Sequence, residues 1–184
     1  MLRDEIQTAM LQAAREAASH RVCPDAPPAQ TDLSAYPQLH EYRGAFVTLK
    51  QRNTGALRGC IGSMIGREPL FAAVPRLAVE AAVSDYRFEP VTCDELNQLT
   101  FEISVLTPLK PVDSYEDIVI GTDGIVLSCH GRHAVFLPQV AVEQQWTREQ
   151  TLSHLAMKAG LAPDSWMKPA CSFEVFQSQV FSEE

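Results

Sequence analysis

No two of the five cysteines, Cys23, Cys60, Cys93, Cys129 and Cys171, stand in a Cys-x-x-Cys spacing. The chain therefore carries no zinc-knuckle or dithiol signature, and no metal is expected. No glycine-rich turn joins a strand to a helix, which removes the usual phosphate cradle of a nucleotide, so no cofactor is expected either. No apolar run reaches the length of a membrane span. Positive charge is scarce: 15 Lys and Arg against 23 Asp and Glu leave a net charge of −8. That excludes the basic face on which nucleic acid or an anionic membrane surface depends, although a local pair of arginines can still hold a small anion. There is no internal repeat, low-complexity tract or clear linker. The first 21 residues include Arg3, Asp4, Glu5 and Arg15, unlike the apolar centre of a secretory signal. A cytoplasmic protein with reduced thiols is the resulting expectation.

With 46% hydrophobic and 21% charged residues over 184 positions, the chain has the composition of a folded globular protein. Leu2, Ile6, Met10, Ala13 and Ala17 recur at steps of three and four, which predicts an amphipathic helix ending before Cys23-Pro24. Phe46, Val47 and Leu49 belong to a strand over 44–50. Asn53-Thr54-Gly55 supplies a turn into a second strand over Leu57–Ile61. Glu68-Pro69 opens a helix whose stripe is Leu70, Val74, Leu77, Ala78 and Ala81. Pro75 inside it predicts a kink, or a later start. Residues 99–106 alternate as a half-buried strand. Ile118–Ile120, Gly121-Thr122-Asp123-Gly124 and Ile125–His130 read as a hairpin, and Gly131-Arg132 as a turn into His133–Leu137. Pro138 starts a short helix to Trp146. Thr147-x-x-Gln150 is a capping box for a helix that Gly160 ends. Phe173, Val175 and the residues around Val180 suggest one closing strand. Hairpins grouped between helices give an α+β fold rather than a doubly wound sheet.

The chemistry concentrates in Leu57-Arg58-Gly59-Cys60-Ile61-Gly62. Glycine weakens a strand interior and usually marks a bulge or a group approaching the backbone closely. Arg58 shares a strand face with Cys60, and a nearby cation favours the thiolate, the nucleophilic form of cysteine. Either the thiol meets a ligand here, or this is a bent strand with a buried cysteine. Glu102, on its own strand, is a candidate acid or base that either enters a cleft or pairs with Arg58 or Arg87. Arg87 also reads simply as a helix C-terminal charge. If Gly131-Arg132 forms the turn, His130 and His133 face each other across strands. Two imidazoles only half fill a tetrahedral metal site.

Five segments in order carry a family resemblance: residues 57–62, Asp85-Tyr86-Arg87-Phe88-Glu89-Pro90, Glu102-Ile103-Ser104-Val105-Leu106, Leu137-Pro138-Gln139-Val140-Ala141 and Lys158-Ala159-Gly160-Leu161. Together they resemble the AMMECR-type family, whose bacterial members are the A proteins of AmmeMemoRadiSam systems. The resemblance implies one domain over 1–184 with two sublobes, built of antiparallel or mixed β-hairpins with flanking helices and a cleft between the lobes. It implies cleft positions for Arg58, Gly59, Cys60, Gly62, Arg87 and Gln139 without fixing a reaction; on the reading of the residues, Cys60 and Glu102 are the catalytic candidates, and Arg58, Gly59, Gly62, Arg87 and Gln139 the substrate-binding ones. Its implied partners are a Memo-type protein and a radical S-adenosylmethionine enzyme. Pro75 and the His130/His133 pair lie outside the family pattern. Two functions follow: an enzyme or catalytic subunit acting on a small polar or anionic molecule, or a non-catalytic adapter docking a partner through the same strand.

Overall fold

The computed structural model describes residues 1–183. The chain divides into two compact units, Met1–Leu106 together with the C-terminal stretch from Gln179 onward, and Thr107–Ser178.

The first unit is a helix-backed sheet. Helix α1 (Asp4–Val22) buries Ile6, Met10 and Ala13 of the expected stripe, with Ala14 and Ala18 buried in place of Ala17, which is half-buried. Helix α2 (Leu70–Val83) begins after Pro69 and continues through Pro75, burying Leu70, Val74, Leu77, Ala78 and Ala81. Both pack on a four-stranded sheet of β1 (Ala45–Gln51), β2 (Leu57–Ser63), β3 (Leu99–Leu106) and β8 (Ser178–Ser182), in the order β2-β1-β3-β8. Alternation decides which side chains face the helices. Ala45, Val47 and Leu49 of β1 and Phe101, Ile103 and Val105 of β3 are buried in the core with α1 and α2. Phe46, Thr48 and Lys50 therefore share the opposite, half-buried face with Thr100, Glu102 and Ser104.

The second unit has a sheet of β4 (Lys110–Val112), β5 (Gly124–Cys129), β6 (Arg132–Phe136) and β7 (Cys171–Phe176), in the order β4-β7-β5-β6. Helix α5 (Arg148–Lys158) supplies Leu152, Leu155 and Ala156 to its core, beside Ile125, Leu127, Trp166 and Phe173. The Thr147/Gln150 capping box opens α5 as expected, and Gly160 stops it with φ +73°. Two shorter helices, α3 (Cys93–Leu96) in the first unit and α4 (Pro138–Glu143) in the second, complete the set.

Four sequence expectations are corrected. Residues 118–120 form no strand: a turn closes there instead, with the N–H of Asp123 donating to the Val119 carbonyl and the Asp123 carboxylate accepting from the Val119 N–H. The hairpin turn is His130-Gly131, both left-handed at φ 51° and 74°, so Cys129 pairs with Arg132 and Ser128 with His133. A two-residue turn with both φ positive matches strand twist, and the one-residue change in register takes His130 out of any pairing with His133. The C-terminal strand is two strands in two sheets, β7 and β8. The thiols are not all reduced: disulfides join Cys23 to Cys93 and Cys129 to Cys171. Their separations of 70 and 42 residues hide them from any spacing rule. The register makes the second pair, since Cys129 of β5 lies opposite Cys171 of β7.

Among the described residues no helix is long and apolar enough to cross a membrane, and no group of three His, Cys, Asp or Glu side chains is placed to hold a metal ion.

Candidate functional site

Cys60 is the one free cysteine, half-buried on β2. Its strand is at the sheet edge, so alternate peptide groups have no neighbouring strand to bond. At Cys60 both are satisfied by side chains. Its N–H donates to Asp85 Oδ2 at 2.8 Å, and its carbonyl accepts from Arg87 Nη2 at 3.2 Å. Arg87 in turn grips Asp85 through Nε at 2.9 Å and Nη2 at 2.6 Å. Asp85, five residues before Pro90 in the loop after α2, is 5% exposed, whereas the Arg87 side chain is 42% exposed. One ion pair thus stands where a further strand would otherwise add.

Because the Cys60 peptide groups face outward, Cys60 and its β1 partner Thr48 form a pair without mutual backbone bonds, the kind in which side chains lie closest. The Thr48 hydroxyl is 3.3 Å from Cys60 Sγ, placed to donate to it. Thr48 also pairs with Glu102 of β3. Thiol, hydroxyl and carboxylate therefore run in one row across three strands. Glu102 is held at the end of that row by Lys50 Nζ at 2.7 Å.

Arg58 and the two glycines have partners of their own. The Arg58 guanidinium forks onto Glu95 at 3.2 Å through both Nε and Nη2, and donates to the Glu89 carbonyl at 2.9 Å. Glu95 belongs to the capping box of α3 with Thr92, whose backbone N–H, then Arg58, holds its carboxyl below the usual range. Arg58 is 12% exposed, and it ties β2 to the segment leading into α3. Gly59 is where α2 crosses closest: a Cβ there would overlap the Ala81 carbonyl oxygen. At Gly62 a Cβ would overlap the Phe46 ring. The close approach that the glycines advertise is thus made in both cases by the protein itself.

The structure therefore brings Arg58, Gly59, Cys60, Gly62, Arg87 and Glu102 together in the first unit. Gln139 lies in the second unit, exposed on α4. The cavity of about 570 Å³ in the second unit, lined by Lys110, Asp117, Asp123 and Phe176 among others, contains none of these residues and no thiol or imidazole. The thiol, hydroxyl and carboxylate of the row lie on the sheet face instead. Thr48, Lys50, Asp85 and Glu95 were missed from sequence. Thr48 left a signal, since a hairpin closed at Asn53-Thr54-Gly55 sets β1 against β2, and Asp85 heads the 85–90 segment of the family resemblance.

Comparison with known proteins agrees with this architecture. The AMMECR1 family model matches residues 11–181. The chain belongs to the AMMECR1 family. Among AMMECR1 relatives, protein MK0488 of Methanopyrus kandleri is 44% identical over 154 residues, covering 80% of this chain and 74% of that one. Protein MJ0810 of Methanocaldococcus jannaschii is 39% identical over 158 residues, covering 82% and 79%. The crystal structure of the uncharacterized protein PH0010 from Pyrococcus horikoshii superposes with a TM-score of 0.81 at 33% identity, covering 100% of this chain and 94% of that one.

The Asp85–Arg87 pair has a pH signature. The Arg87 guanidinium, aided by the Cys60 and Arg87 N–H groups and opposed by burial, holds the Asp85 carboxyl far below the usual carboxylate range. A carboxyl with a lowered folded-state pKa stabilises the fold above its unfolded value, roughly 3.9, and loses that contribution as pH falls further. The melting temperature of the wild type should therefore drop on acidification below about pH 4, and Asp85→Asn should flatten that limb while lowering the plateau at neutral pH. Parallel thermal melts between pH 2 and pH 7 check this. Limbs of identical shape would mean that the pair contributes nothing to folding.

Proposed function

We propose that this AMMECR1-family protein is an enzyme or catalytic subunit acting on a small polar or anionic substrate at the outer face of the first sheet. Cys60 is its nucleophile and Glu102 its acid or base. Arg87, through its solvent-facing edge, binds the substrate, while Arg58, Gly59 and Gly62 shape the strand that presents Cys60. The observation that carries this reading is the row Cys60–Thr48–Glu102: one free thiol with a hydroxyl 3.3 Å from its sulfur and a carboxylate on the next strand. A hydroxyl donating to sulfur orients the thiol, and a carboxylate one strand away can take or return a proton through a bound water.

The adapter reading is less well supported. Adding a partner strand to β2 would use the outward N–H and C=O of Cys60, and both are already bonded to Asp85 and Arg87. A Memo-type protein and a radical S-adenosylmethionine enzyme as partners, and a cytoplasmic setting, belong to the same proposal on the strength of the family resemblance.

Iodoacetamide labelling of folded protein, followed by peptide mapping, tests the nucleophile. One equivalent should enter, all of it at Cys60, and Thr48→Val should slow the reaction several-fold with the fold intact. A Cys60 that reacts only after unfolding would overturn the catalytic reading.

A further inference from the structure

We propose that Asp85 is a positioning residue for Cys60, acting through the Cys60 amide and through Arg87. The inference rests on the nucleophile reading and extends it to a residue that cannot touch a substrate itself.

Three observations lead to it. Asp85 is a carboxylate buried to 5% exposure with four donor contacts: the Cys60 N–H, the Arg87 N–H, Arg87 Nε and Arg87 Nη2. Two of those donors belong to a guanidinium that also holds the Cys60 carbonyl. The clasp therefore fixes the peptide groups on both sides of one residue, and that residue bears the free thiol. Edge strands are usually blunted by scattered charges, prolines or bulges. Here the device is aimed at a single position.

Its consequence is geometric. At Cys60 the strand backbone is paired with β1 on one side only, and local twisting there would swing Sγ away from the Thr48 hydroxyl. Fixing N–H and C=O together removes that freedom and keeps sulfur and hydroxyl in register. Phe88, whose ring centre lies 5.5 Å from the Arg87 guanidinium carbon and 6.0 Å from that of Arg58, backs the clasp from one side. Asp85 is the one member of the assembly with no exposed face, so its effect on the thiol can only be indirect.

The test compares the second-order rate constant for iodoacetamide at Cys60 in wild type, Asp85→Asn, Asp85→Ala and Arg87→Lys, each well below its own melting temperature. Asn keeps an oxygen for the Cys60 amide and loses the ion pair; Ala loses both; Lys keeps the charge and loses the fork. Labelling should slow about tenfold in Asp85→Ala, and by an intermediate factor in Asp85→Asn and Arg87→Lys. Amide hydrogen exchange at Cys60 should rise in the same order. A purely structural pair would lower the melting temperature and leave the rate constant of folded protein unchanged, and that result overturns the proposal. If Asp85→Ala does not fold, the exposed Arg87→Lys change decides alone. Wild-type protein that resists labelling refutes the nucleophile. The clasp is then judged by hydrogen exchange, and Cys60 protection retained in both Asp85→Asn and Asp85→Ala refutes it too.

Discussion

Removing the Cys23–Cys93 disulfide should lower the unfolding free energy by about 4 kcal/mol, because a cross-link across a loop of this size takes that much closure entropy out of the unfolded chain. The bridge spans 70 residues and ties the end of α1 to the start of α3. Cys129–Cys171 spans 42 and should contribute a similar amount, again about 4 kcal/mol. Denaturant unfolding of the Cys23→Ser/Cys93→Ser and Cys129→Ser/Cys171→Ser proteins measures each loss as a shift in midpoint. Accessibility also orders their reduction. Cys93 is exposed while Cys129 is 2% exposed, so mild reductant should open the first bridge well before the second. Midpoints unmoved by either double substitution would mean that the thiols are not paired in the folded protein.

Gly59→Val should be nearly as damaging, at about 3 kcal/mol or more, because overpacking at a rigid contact has no inexpensive relief. The atom in the way is the Ala81 carbonyl oxygen, which is backbone in a helix and cannot rotate aside. Strand β2 or α2 must shift, and Leu49, next nearest to the added Cβ, shifts with them. Gly55 is the control: at φ +70° with open space around it, Gly55→Ala should cost only about 1 kcal/mol of backbone strain. Equal melting temperatures for the two variants would contradict the close crossing of α2 over β2.

Local features were legible in the sequence. The α1 stripe, the β1 turn β2 hairpin, β3 and the Thr147 cap all depend on residues within a few positions of one another. What failed was long-range or one residue out. Gly131-Arg132 and His130-Gly131 are both acceptable turn pairs on paper, and only β5 pairing with β6 and β7 at once chooses between them. Pro75 broke no helix because tertiary packing of Val74, Leu77 and Ala78 keeps the segment helical on both sides of it. At the site, Arg58 and Cys60 do share a strand, yet the guanidinium leans onto Glu95, 37 residues away, and the group that governs the Cys60 backbone is Asp85, 25 residues away. Nothing in the hexapeptide announces either partner.

If a small polar molecule reacts over the row Cys60–Thr48–Glu102, its binding must cover the thiol. The most direct measurement is the rate of Cys60 alkylation in folded protein, with and without the small-molecule fraction of the organism the protein comes from. The account predicts labelling of the protein alone, and slowing of several-fold or more by the small-molecule fraction that weakens in Glu102→Gln. A rate indifferent to small molecules but slowed by the macromolecular fraction would contradict it, and would make the same face a docking surface.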